Sequence, residues 1–262
     1  MLHSLLANLP ANEHIHYFEA IDSTNLQAKA LGLQGAPHGT TVIAKSQTAG
    51  RGRLGRSFQS PDGQGLYLSM LLRPDCHATE LMHLTCAVGC AVCDAIESIT
   101  GLRPGIKWTN DLVFGKRKLG GILTELSLDA SGNVNFAVVG IGINCAQKIA
   151  DFPPDIRDIA TSLTETTKKE TDIPQLAASI LTLLKAMSNK LLPHRDAIME
   201  QYRKDCVTLG KEISVVTPSS VRHGVAVDID RDGALVVEFP GSSRETVNSG
   251  EVSIRGMYGY IS

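Results

Sequence analysis

The stretch Gly50-Arg51-Gly52-Arg53-Leu54-Gly55-Arg56 mixes glycines with arginines. Glycine lets backbone N–H groups come close to an anion, and the planar arginine fork matches carboxylate or phosphate oxygens. Such a loop loses much freedom when it orders, so a negatively charged ligand is the natural agent to order it. A second cationic stretch, Lys116-Arg117-Lys118, reads either as a solvated hairpin tip or as part of a site, for it precedes the pair Gly120-Gly121, where a ligand or another backbone can approach closely. Ser23-Thr24-Asn25 adds two hydroxyls and an amide in a row. Fixed cations, close-approach glycines and a polar recess suit the joining of a carboxylate to a nucleotide. A free carboxylate does not acylate an amine at neutral pH, because oxide would have to leave. Attack on the α-phosphate of ATP makes a mixed anhydride that does react, provided two anions are held together and water is kept away. On these residues alone the chain reads as an adenylating or phosphate-handling enzyme.

Gly50, Gly52 and Gly55 also fall in G-x-G-x-x-G order, the dinucleotide fingerprint, which needs a helix directly after the loop. Residues 57–63 instead form another turn, and residues 65–72 (GLYLSMLL) read as a strand, so that fingerprint is rejected. A kinase-type glycine loop would fit strand–loop–strand better, but no H-R-D or D-F-G signature is present. The plain alternative is a solvated basic loop, or one that touches nucleic acid without sequence preference.

The elements that must position these groups follow from pattern. Residues 16–21 read as a strand and residues 26–31 as a helix, with Thr24 and Gln27 at capping-box spacing and Gly35 able to close it. Ser23 to Asn25 therefore either cap a helix or face a ligand. Residues 41–45 form the strand into the basic loop. Leu81, Leu84, Val88, Val92, Ile96 and Ile99 recur at helical steps and predict a core-facing helix, in which His83 is packing or surface. Residues 106–126 read as strand, basic turn, strand, and residues 135–144 as a buried central strand whose Gly140 and Gly142 resemble half a dinucleotide motif. After an irregular connection opening at Phe152-Pro153-Pro154 come helices over 175–192 and 193–205. From Val207 the texture changes to short strands, 212–216, 224–228, 234–238 and 252–255, separated by turn signals. The pattern is an α+β core, 1–206, with a small barrel-like module, 207–262.

The formal net charge of −2 over 262 residues argues against a dedicated nucleic-acid binder, so the basic loop is a local device. No run reads as membrane-spanning, and the first residues lack the basic region of a signal peptide, which points to the cytoplasm. The six cysteines match no zinc spacing and read as buried thiols of a reducing compartment; no metal-ligating residues are expected.

Ser23-Thr24-Asn25, Gln47 with the following Gly-Arg-Gly-Arg, Lys107-Trp108-x-Asn110-Asp111, Arg117-Lys118-Leu119-x-Gly121-Ile122-Leu123-x-Glu125 and Gly140-Ile141-Gly142-Ile143-Asn144 together resemble the biotin–protein ligase family, in order and spacing. The resemblance implies a mixed-sheet catalytic fold like that of class II aminoacyl-tRNA synthetases, followed by an SH3-like C-terminal β-barrel. It implies biotin and ATP with Mg²⁺ as substrates, biotinyl-5′-AMP as the intermediate, and a lysine of biotin carboxyl carrier protein as acceptor. Carried over, Ser23, Thr24, Asn25 and Gln47 line the biotin head group, with Gly50, Gly120 and Gly121 allowing backbone approach. Arg51 and Arg53 lie in the loop that closes over biotin and its adenylate, and Lys118 holds the carboxylate and the reacting phosphate. Phe58, Asn144 and Arg255 meet the adenylate, and Asp111 orients or deprotonates the incoming amine. Leu54 stands where some relatives carry another basic residue, and Phe58 where tryptophan is common. The chain starts close to the first core strand, so the DNA-binding helix-turn-helix of dual-function relatives is not expected, and a monomer or homodimer is. The competing readings are a lipoate– or octanoate–protein ligase or transferase, and a non-catalytic nucleic-acid or regulatory module.

Overall fold

β3 (Gly65–Leu72) is buried at all eight positions, and the reason is visible in its two faces. Leu66, Leu68, Met70 and Leu72 join the main core, while Leu71 belongs to a smaller cluster with Ala28, Val42, Phe136 and Val138. A strand covered on both sides reads as a continuous apolar run rather than an alternating one. The computed structural model, which describes residues 14–217, 220–241, 243–248 and the backbone of 253–256, sets this strand inside a seven-stranded sheet. The other members are β1 (Ile15–Ile21), β2 (Thr41–Gln47), β4 (Gly105–Lys107), β5 (Asp111–Phe114), β6 (Arg117–Leu128) and β7 (Val134–Asn144). Their order is β1-β2-β3-β7-β6-β5-β4. β1 and β2 run parallel, joined through helix α1 (Thr24–Leu33), and the remaining neighbours are antiparallel.

Helix α2 (Leu84–Thr100) carries eleven buried residues and packs with α4 (Ile173–Ser188) against the main-core face. The short α3 (Leu163–Thr167) precedes α4, and α5 (Arg195–Asp205) leads out of the sheet. By length and composition the segment Ala78–Thr100 could cross a membrane, contrary to the sequence expectation. In the fold most of it is buried, as a core helix should be, and its first turn is a separate 3-10 turn, Ala78–Leu81. Of the six cysteines five are buried and Cys76 is partly exposed. Burial pushes the Cys145 thiol up to about 12, against a hydrogen bond with the Leu66 backbone that lowers it, and so keeps it protonated.

A second, antiparallel sheet holds β8 (Glu212–Val216), β9 (Val221–Ile229), β10 (Leu235–Phe239), β11 (Ser243–Val247) and β12 (Ser253–Gly256), in the order β11-β10-β9-β8-β12. β11 escaped the sequence pattern because four of its five residues are exposed, leaving no apolar alternation to read. The two sheets are stitched together. Val207 N–H donates to Ile106 O at 2.9 Å, extending the β4 edge. Arg203 Nε donates to Ile229 O at 2.8 Å, and Arg195 pairs with Asp232 at 3.0 Å. The Trp108 indole N–H donates to Gly233 O at 2.9 Å.

Candidate active site

Strand register decides which residues floor the site. Ser69 faces Gly140 and Tyr67 faces Gly142 across β3 and β7, while Leu123 and Gly121 face the same two glycines across β7 and β6. All lie on the α1 face, opposite the main core, because side chains alternate with a period of two. Glycines at 121, 140 and 142 leave the sheet bare here, and a cavity of about 230 Å³ opens above it. Added methyl groups would close it. A Cβ at Gly140 would overlap the Asn25 amide, and one at Gly142 would come within 2.7 Å of the Phe58 ring.

One wall is the start of α1. Ser23 is the N-cap, yet its side chain makes no capping bond, so the expected capping box at Thr24 is not formed. Thr24 instead turns to Gln47: its N–H and its hydroxyl both donate to Gln47 Oε1, at 2.8 and 3.1 Å. Ser69 Oγ lies 2.8 Å from Thr24 Oγ1 and 2.6 Å from Asn25 Oδ1. Asn25 Nδ2 donates to Leu123 O at 3.2 Å and to Glu125 Oε2 at 3.0 Å. Asn25 thus shapes the recess with an amide engaged at both ends. Gln47 Nε2 donates to Ser60 Oγ at 2.9 Å, which ties this wall to the far end of the basic loop.

The basic loop is the roof and leads, as expected, through a short 3-10 turn (Arg53–Gly55) into a strand rather than a helix. Arg51, Arg53 and Arg56 all border the cavity, with Phe58. Arg51 pairs with Glu125 at 3.2 Å, and Arg53 Nη1 donates to Asn110 Oδ1 at 2.9 Å. Burial pulls the Arg53 guanidinium below its ordinary range, with the Asp111 carboxylate opposing that shift. The opposite wall is the β4–β5 turn with Lys118. Lys107, Trp108, Asn110 and Asp111 line it, and Lys118 Nζ sits 2.6 Å from Asp111 Oδ1. Tyr202 OH donates to Thr109 O at 2.9 Å and steadies the turn from below. Among the described residues no group of three or more His, Cys, Asp or Glu side chains is placed to hold a metal ion. A divalent cation here would come with a nucleotide's phosphates, as part of the substrate.

Ser23, Thr24, Asn25, Gln47, Arg51, Arg53, Phe58, Asp111, Lys118 and Gly121 therefore converge on one cavity from residues scattered over the chain. Four expected members do not line it. Gly50 lies behind the roof, where a Cβ would strike Phe58 O and come within 2.6 Å of Ser60 Oγ, so it serves the loop's own folding. Gly120 points away from the cavity and meets the backbone of Gly142, so its small size serves strand packing. Asn144 is buried, with Nδ2 donating to Thr161 O at 3.0 Å and Oδ1 accepting from Gln147. Arg255 lies on β12, paired with Ser214, and its side chain falls outside the described residues. Sequence reasoning gave no role to Ser69, Asn110 or Glu125. Ser69 had a signal, a hydroxyl inside an otherwise apolar strand, and Glu125 had one in its place two residues beyond Leu123 on the same strand face.

The fold and this site define a class. The Biotin/lipoate A/B protein ligase family matches over residues 17–144, and the Biotin protein ligase C terminal domain over residues 208–255. The chain is 34% identical over 227 residues to the bifunctional ligase/repressor BirA of Bacillus spizizenii, covering 86% of this chain and 70% of that one. It is 32% identical over 239 residues to the biotin--[acetyl-CoA-carboxylase] ligase of Mycobacterium tuberculosis, covering 88% and 85%. The biotin protein ligase of Aquifex aeolicus in complex with biotin and ATP superposes with a TM-score of 0.78 at 30% identity, covering 93% of this chain and 99% of that one. The chain belongs to the biotin protein ligase family.

Proposed function

We infer that the chain is an ATP-dependent biotin–protein ligase. The observation that carries the reading is the convergence of three cationic side chains, Arg51, Arg53 and Lys118, on a glycine-floored recess with a polar end wall. The ureido ring of biotin offers N–H donors and a carbonyl acceptor, and the Ser23–Asn25 and Gln47 wall presents groups of the matching kind. The valeryl chain lies over Gly121 and Gly142, where side chains would block it. Its carboxylate then reaches Lys118 and the roof arginines, which also attract the ATP phosphates.

In the first half-reaction a carboxylate oxygen of biotin attacks the α-phosphorus, the bond to the bridging oxygen breaks, and pyrophosphate leaves with its Mg²⁺. Lys118, Arg51 and Arg53 stabilise the charge that builds on the α-phosphate. In the second, a lysine ε-amine of biotin carboxyl carrier protein attacks the acyl carbon, an amide forms, and AMP leaves. The amine must shed a proton. We assign that proton, or the orientation of the incoming ammonium, to Asp111, because the contact it now makes with Lys118 Nζ is of the same kind. The roof keeps water from the anhydride between the two steps.

The core runs over 1–206 and the SH3-like module over 207–262, supported by the separate C-terminal sheet. The enzyme works in the cytoplasm as a monomer or homodimer without sequence-specific DNA binding, in keeping with a net charge of −2. The test is biotin-dependent exchange of labelled pyrophosphate into ATP, followed by the mass of carrier protein incubated with enzyme, ATP and one of biotin, lipoate or octanoate. A biotinyl mass gain is expected; a lipoyl or octanoyl gain alone would overturn the reading.

A further inference from the structure

Glu125 lies on β6 with Leu123 and Gly121 on the cavity face, yet no step of the reaction above uses it. Its Oε2 accepts from Asn25 Nδ2 at 3.0 Å, and Arg51 Nη1 lies 3.2 Å from Oε1 and 3.3 Å from Oε2. One carboxylate therefore joins the head-group wall to the roof loop. The Glu125 side chain is 22% exposed and that of Arg51 41%, so the carboxylate is the seated partner and the arginine is drawn to it.

The loop has need of such an anchor. Leu54 takes a left-handed φ of 55° with its side chain in solvent, a conformation disfavoured for a residue with a Cβ. The Arg51–Ser57 bridge and the bond from Gly52 N–H to Arg56 O, 2.7 Å, close the loop upon itself. Arg51 and Arg53 are the arms that reach outward, one to Glu125 and the other to Asn110. We propose that Glu125 is a positioning residue: it holds Arg51 over the recess, and links Asn25 in the biotin wall to the roof. What the loop closes over rests on the ligase reading; the tether itself does not.

The experiment uses the full chain. Arg51, Arg53 and Arg56 are trypsin sites, so nicking of ligand-free protein reports how firmly the loop is held. Glu125→Gln keeps an acceptor for Asn25 but removes the charge that holds Arg51. Nicking is expected to speed up, and the KM for biotin to rise, each by about fourfold, the size of a partly exposed ion pair. The kcat is expected to change less than the KM, and the Tm to stay within a degree or so of wild type. In an Arg51→Gln background the Glu125→Gln change should add nothing. Wild-type nicking and KM in Glu125→Gln, or full additivity of the two changes, would overturn the proposal. If Glu125→Gln folds poorly, Arg51→Gln alone decides: unchanged nicking at Arg53 and Arg56 would also overturn it. Absence of biotin-dependent pyrophosphate exchange in the wild type would instead strike the ligase reading and leave the nicking result standing.

Discussion

At the scale of single residues, charge placement dominates. Lys118 and Asp111 form a pair 2.6 Å apart at the edge of the cavity rather than in the core. Lys118→Ala is therefore expected to slow adenylation by about a hundredfold, the effect of losing one charge-stabilising donor worth roughly 3 kcal/mol, while the Tm changes little. Pyrophosphate exchange and a melting curve on one preparation check it; a large fall in Tm with normal turnover would contradict the assignment. His83 behaves in the opposite way, as a core group. It is fully buried, Nε2 carries the proton given to Leu191 O at 2.8 Å, and Nδ1 has no hydrogen-bond partner. Burial holds its pKa below the ordinary 6.5, so the unfolded chain takes up a proton that the folded chain refuses. Its contribution to stability is complete above about pH 6.5 and falls as pH drops from there through the folded value. Urea unfolding between pH 8 and pH 5 should show a slope that is shallower in His83→Asn; His38, also depressed by burial, remains as background in both proteins. Lys118 could be singled out in the sequence only through the family resemblance, since a basic hairpin tip on its own reads equally as a solvated turn; the structure places it with Arg51 and Arg53 on one cavity. The sequence could not reveal that Asn144 turns inward to Thr161, since that depends on which loop packs beneath the strand end.

At the scale of elements, the site exists because β3, β6 and β7 put small residues on one face and branched ones on the other. Val139, Ile141 and Ile143 go to the main core while Gly140 and Gly142 face the cavity. The two glycines should respond differently to a methyl group. At Gly140 it meets the Asn25 amide, which is pinned by Ser69, Leu123 and Glu125, so it has little freedom to yield. Gly140→Ala is expected to weaken biotin binding by about 1–3 kcal/mol, as overpacking does, with a fall in Tm. At Gly142 the obstacle is the outer edge of the Phe58 ring, which can swing aside, so the loss should be smaller. Titration calorimetry with biotin ranks them; equal affinities would refute the distinction. Strand and helix identities were readable because burial imposes periods of two and 3.6. Their ends were less so: the predicted helix over 175–192 stops at Ser188, where the last residues before Pro193 form turns instead. Of the two readings of Ser23 to Asn25, the side-chain cap fell only in three dimensions, where Gln47 and Ser69 are the partners of Thr24.

At the scale of the whole molecule, the second sheet is joined to the catalytic one at the site itself. Trp108 lines the cavity, and its backbone N–H donates to Thr208 Oγ1 and its indole to Gly233 O, each at 2.9 Å. Such coupling predicts one cooperative unfolding transition rather than two. Trp108→Phe leaves Gly233 O without that donor in a buried place and should cost about 1–3 kcal/mol, seen as a lower urea midpoint and a higher KM for substrate. Two separate transitions, followed by tryptophan fluorescence and by far-ultraviolet dichroism, would show that the sheets unfold independently. Domain texture was legible at Val207, where apolar alternation shortens; this seam was not, because no local pattern marks a tryptophan that bonds to a distant turn. The seam also governs when a growing polypeptide becomes competent. Trp108 waits for a carbonyl 125 positions further on, which at a ribosomal pace of about 5–20 residues per second is a delay of roughly ten seconds. Until Gly233 has cleared the exit tunnel, the indole of the nascent protein has no carbonyl to bond, and the wall it helps to build is left unbraced.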